Sequence, residues 1–195
     1  MNIWQVGMEC SGISEAGGVK DVVFSLSKGF AALHDNVTVF LPAFGCTKYD
    51  SLKGFNKKIC ETEIPMGENI ERIFYSSGII KGTKVKVVFV NHPAFSSKRA
   101  VYVYTAEDQY ENPNHRKGIG HEDSLFIDAL FSKAVVKYLN FLPENKIPDV
   151  IQCHDASTAV IPCYASSYFE KNDNKKRIKI FLTIHNAGPA YHHFY

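Results

Sequence analysis

The chain predicts an α/β fold: a doubly wound, mostly parallel sheet with helices on both faces. Two observations carry this. Short β-branched and aromatic runs alternate with segments of helical period, and those runs are apolar throughout, as in strands covered on both sides. A third is composition. The chain has 195 residues, 45% hydrophobic and 13% aromatic, with 14 Phe, 10 Tyr and a net charge of +2, so one sizeable core in a single domain over residues 1–195 is expected and disorder is excluded.

Residues 3–6 form a short apolar run, the first strand. A loop with Gly17 and Gly18 follows, and then a helical stripe of Val22, Val23, Leu26, Phe30 and Leu33. Residues 37–41 are a β-branched and aromatic strand stopped by Pro42, which completes a βαβ unit. Residues 59–77 carry Pro65 and Gly67 and read as short strands or a hairpin of unspecified register. Residues 85–90 are a strand ending in Asn91-His92-Pro93. Residues 98–121 show no sustained period, so a long irregular loop and candidate lid is expected there.

Helical period resumes over residues 122–139 through Leu125, Phe126, Ala129, Leu130, Val135 and Leu139. Residues 149–153 form a strand that runs into His154-Asp155. Residues 158–169 then read as a helix with Pro162 in its first turn, residues 171–177 as a solvated turn, and residues 178–184 as the last strand, ending in His185-Asn186.

Several function classes drop out. No run of about 18 apolar residues exists, so no membrane span is expected, and the start of the chain lacks a charged, long apolar leader. A net charge of +2 gives no footprint for nucleic acid. Cys10, Cys46, Cys60, Cys153 and Cys163 are odd in number and contain no CxxC pair, which fits neither a disulfide framework nor a zinc ribbon and implies a reducing cytoplasm. The dinucleotide pattern GxGxxG is absent, which disfavours a nicotinamide or flavin dehydrogenase; no cofactor is expected.

In an open α/β sheet the ligand crevice lies beyond the carboxyl ends of the strands, so Gly17, Gly18 and Asp21, Asn91 and His92, His154 and Asp155, and His185 and Asn186 are the candidates. Each keeps a second reading. Gly17-Gly18 admits an anion to backbone amides at a helix start, or is a tight turn with Asp21 in the first helical turn. His154-Asp155 suits acid–base work, metal ligation or a helix cap; His185 suits a site or a satisfied core histidine. Tyr102 and Tyr104, if extended, share one side and offer either a sugar platform or a plain sheet face. The adjacent His192 and His193 do not by themselves specify a metal site, and no metal is expected.

Three motifs in order resemble those of bacterial glycogen synthases and plant starch synthases. Glu15-Ala16-Gly17-Gly18-Val19-Lys20-Asp21-Val22 is similar to the family's Lys-x-Gly-Gly-Leu-(Gly/Ala)-Asp-Val signature. Asp149-Val150-Ile151-Gln152-Cys153-His154-Asp155 resembles Asp-Val-(Val/Ile)-His-x-His-Asp, and Thr183-Ile184-His185-Asn186 resembles Thr-(Ile/Val)-His-Asn. The resemblance implies the N-terminal, Rossmann-like half of a two-domain GT-B fold. It also implies retaining transfer of glucose from ADP-glucose or UDP-glucose to the nonreducing end of an α-1,4-glucan.

It further implies roles: Gly17, Gly18, Asp21 and Asn186 at the donor, Asp155 and His185 as catalytic residues at the transferred glucose, and Tyr102 and His154 near donor or acceptor sugar. The expected partners are the nucleotide sugar, the glucan and a C-terminal nucleotide-binding domain absent from these residues, so the chain by itself is expected to be inactive. One departure is a charge reversal. Glu15 stands where the family has lysine and opposes a diphosphate, unless it points away and Lys20 takes its place. Two rival readings are a non-catalytic carbohydrate- or nucleotide-binding module and a metal-dependent phosphohydrolase built on His154, Asp155, His185 and His192.

Overall fold

A computed structural model describes residues 1–170 and 177–186. The strands are β1 (Asn2–Val6), β2 (Asn36–Pro42), β3 (Leu52–Met66), β4 (Asn69–Ile80), β5 (Lys86–Asn91), β6 (Val150–His154) and β7 (Lys179–Thr183). The helices are α1 (Val19–Ala32), α2 (Pro93–Ser96), α3 (Ala106–Glu111), α4 (Ser124–Lys137) and α5 (Ile161–Glu170). One sheet runs in the order β3-β4-β5-β2-β1-β6-β7. Its pairs are parallel from β5 through β7, while β3 and β4 add an antiparallel hairpin at one edge.

The pleat sorts the strand side chains into two cores. Trp4, Val6, Phe40, Val88, Val90, Ile151 and Cys153 join the residues of α4 and α5. Val37, Val39, Leu41, Val87 and Phe89 join Val23 of α1. Successive residues of a strand alternate faces, so helices cover both sides of the sheet as expected.

Within that frame four local readings change. Residues 59–77 are one long hairpin turning at Gly67, whose φ of 65° suits a residue without Cβ. Tyr75 Oη donates to the Ala134 carbonyl at 2.7 Å, tying the hairpin to α4. The inward face of α1 centres on buried Val23 and Ser27, with Phe24 and Phe30 packed partly buried against the core, while Val22 and Leu33 of the expected stripe are exposed. Ser27 is tolerated inside because its hydroxyl donates to the Val23 carbonyl at 2.7 Å. Helix α4 is buried over most of its circumference, but Leu125, in its first turn, is exposed.

Residues 98–121 are ordered rather than structureless. Thr105 and Asp108 close a capping box on α3, Arg99 pairs with Asp108 and Glu111, and Tyr104 stacks on His115 at 4.2 Å. Pro162 is the second residue of α5, inside the first turn where its missing N–H costs nothing. Most of the expected turn at 171–177, and the His192-His193 pair, lie outside the described residues.

Candidate active site

The loop after β1 is organised by Glu9, a fully buried carboxylate. Glu9 Oε2 accepts the amides of Ala16 at 2.9 Å and Gly17 at 2.7 Å, and Oε1 accepts from Tyr102 Oη at 3.3 Å. A Cβ on Gly17 would stand 3.1 Å from Glu9 Oε1, whereas Gly18 faces open space. A side chain at Gly17 would thus crowd Glu9, and the Gly17 N–H is already spent there. Burial and the neighbouring Glu9 carboxylate push the Tyr102 phenol well above its ordinary pKa, with Asp155 and Asp128 adding to the same effect. The Tyr102 hydroxyl therefore ties residue 102 to the glycine loop through Glu9.

Asp21, at the start of α1, accepts from Ser11 Oγ at 2.5 Å and from Lys20 Nζ at 2.7 Å, and these partners hold its carboxyl below the usual range. Glu15 accepts the Gly12 amide at 3.0 Å and pairs with Lys48 at 2.6 Å. The Lys48 amide in turn donates to the Ile13 carbonyl at 2.8 Å. The loop rim is therefore a Glu15–Lys48 pair, not an unopposed carboxylate. Lys20 pairs with its neighbour Asp21 at 2.7 Å.

At the end of β6, His154 is buried and half-buried His185 lies against it. Their rings lie within 10° of parallel and meet edge to edge, with centroids 5.1 Å apart and His154 Nδ1 2.8 Å from His185 Nε2. His154 Nε2 is 2.8 Å from Gln5 Oε1. Burial first, then the neighbouring His185, lowers the pKa of His154 to about 4, so it is neutral at pH 7. Asp155 has φ 60° and ψ −176°, a conformation that side chains rarely adopt and that clusters at functional sites. Its carboxylate caps no helix; Oδ1 accepts the His185 amide at 2.7 Å, while the Asp155 amide donates to the Thr183 carbonyl at 2.9 Å. Thr158 Oγ1 donates to the His154 carbonyl at 2.9 Å and braces the turn. Exposed Asn186 follows His185 directly.

The fold thus sets the Gly17-Gly18 loop, which Tyr102 joins through Glu9, after the carboxyl end of β1, and the His154, Asp155 and His185 cluster at the ends of the neighbouring β6 and β7, with Asp21 at the start of α1. It does not bring in Tyr104, Asn91 or His92. Tyr104 is buried against His115 and His121. Asn91 donates to Ser76 and to the carbonyls of Phe74 and Phe89. His92 caps α2 through Nδ1 and pairs with Glu71. Both nitrogens of His154 are engaged, and among the described residues no three His, Cys, Asp or Glu side chains gather to hold a metal ion.

Sequence reading missed Glu9, Lys48 and Gln5. Glu9 and Gln5 had a signal, each being a polar side chain embedded in the apolar stretch that leads into a glycine loop. Lys48 had none, because its meeting with Glu15 depends on how two distant loops dock.

The starch synthase catalytic domain family matches residues 2–193. The chain is 29% identical over 189 residues to a glycogen synthase of Koribacter versatilis, covering 96% of this chain and 35% of that protein. It is 30% identical over 187 residues to a probable glycogen synthase 2 of Nostoc sp., covering 95% and 34%. The fold resembles that of the catalytic domain of starch synthase IV from Arabidopsis thaliana bound to ADP and acarbose, with a TM-score of 0.73 and 24% identity over 94% of this chain and 34% of that one. The chain therefore spans about a third of the length of the curated relatives it matches. By fold, motifs and the matched length, the chain belongs to the starch synthase catalytic domain family.

Proposed function

We propose that this chain is the first of two domains of a retaining, cytoplasmic glucosyltransferase that moves glucose from ADP-glucose or UDP-glucose to the nonreducing end of an α-1,4-glucan. The observation that carries the reading is the gathering of the glycine loop, Tyr102, strained Asp155 and His185 at the carboxyl ends of adjacent strands in a member of this family. In this reading Gly18 and the nearby backbone, with Gly17, Asp21 and Asn186, border the donor. Gly17 acts through shape, since its amide belongs to Glu9. His185 and Asp155 border the transferred glucose, where a positioned imidazole and carbonyls steady developing oxocarbenium-like charge and steer a hydroxyl. Tyr102 borders the sugar side, whereas His154, buried with both ring nitrogens engaged, lies behind His185 and does not reach a sugar as the motif resemblance implied. The Arabidopsis relative solved with ADP and acarbose supports a nucleoside diphosphate and a glucan-like sugar as the ligand classes.

Glu15 is compatible with a diphosphate because Lys48 offsets its charge at 2.6 Å. Lys48 is then the loop's cation for the donor. The second domain supplies the remaining nucleotide contacts, so this chain by itself does not transfer glucose. No metal or cofactor is required in this reading, and none of the described helices is long and apolar enough to cross a membrane.

The test is glucosyl transfer to glycogen, with ADP-glucose and with UDP-glucose, by this chain alone and by the protein in which it is followed by the second domain. Transfer by the two-domain protein with retention, and none by the single domain, is expected. A folded two-domain protein that binds glucan but transfers from neither donor would instead establish a carbohydrate-binding module.

A further inference from the structure

Behind His185 runs a line of uncharged side chains. Gln5 and Gln152 are register partners on β1 and β6, and Gln5 Nε2 donates to Gln152 Oε1 at 3.0 Å. Gln152 Nε2 donates to Thr183 Oγ1 of β7 at 2.9 Å. Gln5, fully buried, turns its Oε1 to His154 Nε2. Four side chains from three strands, Thr183, Gln152, Gln5 and His154, therefore form one chain that ends on His185, just past β7.

The chain has a direction. An amide oxygen only accepts, so the nitrogen of His154 that faces Gln5 Oε1 carries the proton. A neutral imidazole has one N–H, which leaves His154 Nδ1 as a lone pair. Nδ1 lies 2.8 Å from His185 Nε2, so that contact is made by an N–H on His185. Gln5, Gln152 and Thr183, which hold His154, carry no formal charge, unlike the carboxylate that often orients a histidine.

We propose that Gln5, fixed in turn by Gln152 and Thr183, is a positioning residue that sets the Nε2–H form of His154 and, through it, the Nε2–H form and ring orientation of His185. The inference rests on the proposed role of His185 at the transferred glucose, but the tautomers are readable without any substrate. An uncharged relay holds the imidazole in one form while adding no negative charge beside a donor that already carries a diphosphate.

The experiment is nitrogen NMR of the protein carrying ¹⁵N-histidine at pH 7.5, with His154→Gln and His185→Ala used to assign the two rings. The expected wild-type result is Nε2–H with an unprotonated Nδ1 on both. In Gln5→Met, which keeps the volume and removes both hydrogen bonds, His154 and His185 are expected to populate the Nδ1–H form. Nδ1–H on His154 in the wild type, or unchanged tautomers in Gln5→Met, would overturn the proposal. If Gln5→Met does not fold, Gln152→Met removes the next link and is expected to shift the same two rings in the same direction.

In the two-domain protein, Gln5→Met is expected to lower kcat about ten- to hundredfold with an unchanged donor KM, the range found when a group that orients a functional histidine is lost. An unchanged kcat would break the link to His185. Tautomers as expected in a protein that transfers from neither donor would support the relay while removing the functional reading.

Discussion

The two sides of the site are held by opposite means. The rim of the glycine loop is tied by ion pairs at the surface, Glu15 with Lys48 and Lys20 with Asp21. The histidine side is tied by uncharged hydrogen bonds in the interior, where His154 is 2% exposed. Water and salt compete with an exposed pair, so its charges are exchangeable at small cost. A buried polar chain behaves differently, since each link lost leaves a desolvated group unpaired. On the first side Glu15 stands where the motif resemblance places a lysine, and Lys48 from another loop pairs with it. Burial is the deciding variable rather than the loop itself: Glu9 belongs to the glycine loop, yet it is fully buried and accepts three hydrogen bonds.

The largest expected effect is therefore at Glu9. Glu9→Leu leaves the Ala16 and Gly17 amides and the Tyr102 hydroxyl without their acceptor and should cost about 3–5 kcal/mol, read as a lower urea midpoint. A cost below about 1 kcal/mol would place Glu9 with the exchangeable rim charges.

Next comes the pH dependence of His154. Its folded pKa, lowered to about 4, lies below the ordinary imidazole value of 6.5, so between these values the unfolded chain binds more protons and stability falls as pH drops. The contribution is complete above pH 6.5, and the loss by pH 4 approaches about 3 kcal/mol. Thermal melts across this window should show a steeper slope for the wild type than for His154→Gln. Parallel curves would remove His154 from the buried, neutral set.

The smallest effects belong to the rim. Glu15→Ala and Lys48→Ala should each leave the urea midpoint nearly unchanged, the more so at high salt. Donor KM in the two-domain protein separates them. Lys48→Ala should raise it about tenfold, the order of one charge-assisted hydrogen bond to a phosphate, and Glu15→Ala should not. Equal effects would mean that Lys48 serves only to neutralise Glu15.

Much of the fold was legible because its parallel strands are covered on both faces and so write continuous apolar runs such as residues 37–41 and 85–90. The long hairpin was not, since β3 is largely exposed at the sheet edge and its pattern is mixed. The α1 stripe misled because Ser27 satisfies its own hydroxyl, letting a polar residue face the core. At the site, His154, Asp155 and His185 stood out as polar groups directly following strands. Their cooperation did not: the Gln5 and Gln152 contacts depend on strand order, which places residues 147 positions apart side by side. The strain at Asp155 is a property of φ and ψ and leaves no mark in residue type.

The most direct test is glucosyl transfer to glycogen by the two-domain protein carrying His185→Ala, beside the wild type, with both proteins shown to be folded. A fall in kcat of two orders of magnitude or more, with glucan binding retained, is expected of a group at the reacting sugar. Equal rates in the two proteins would contradict the placement of the reaction at the His154–His185 end of the sheet.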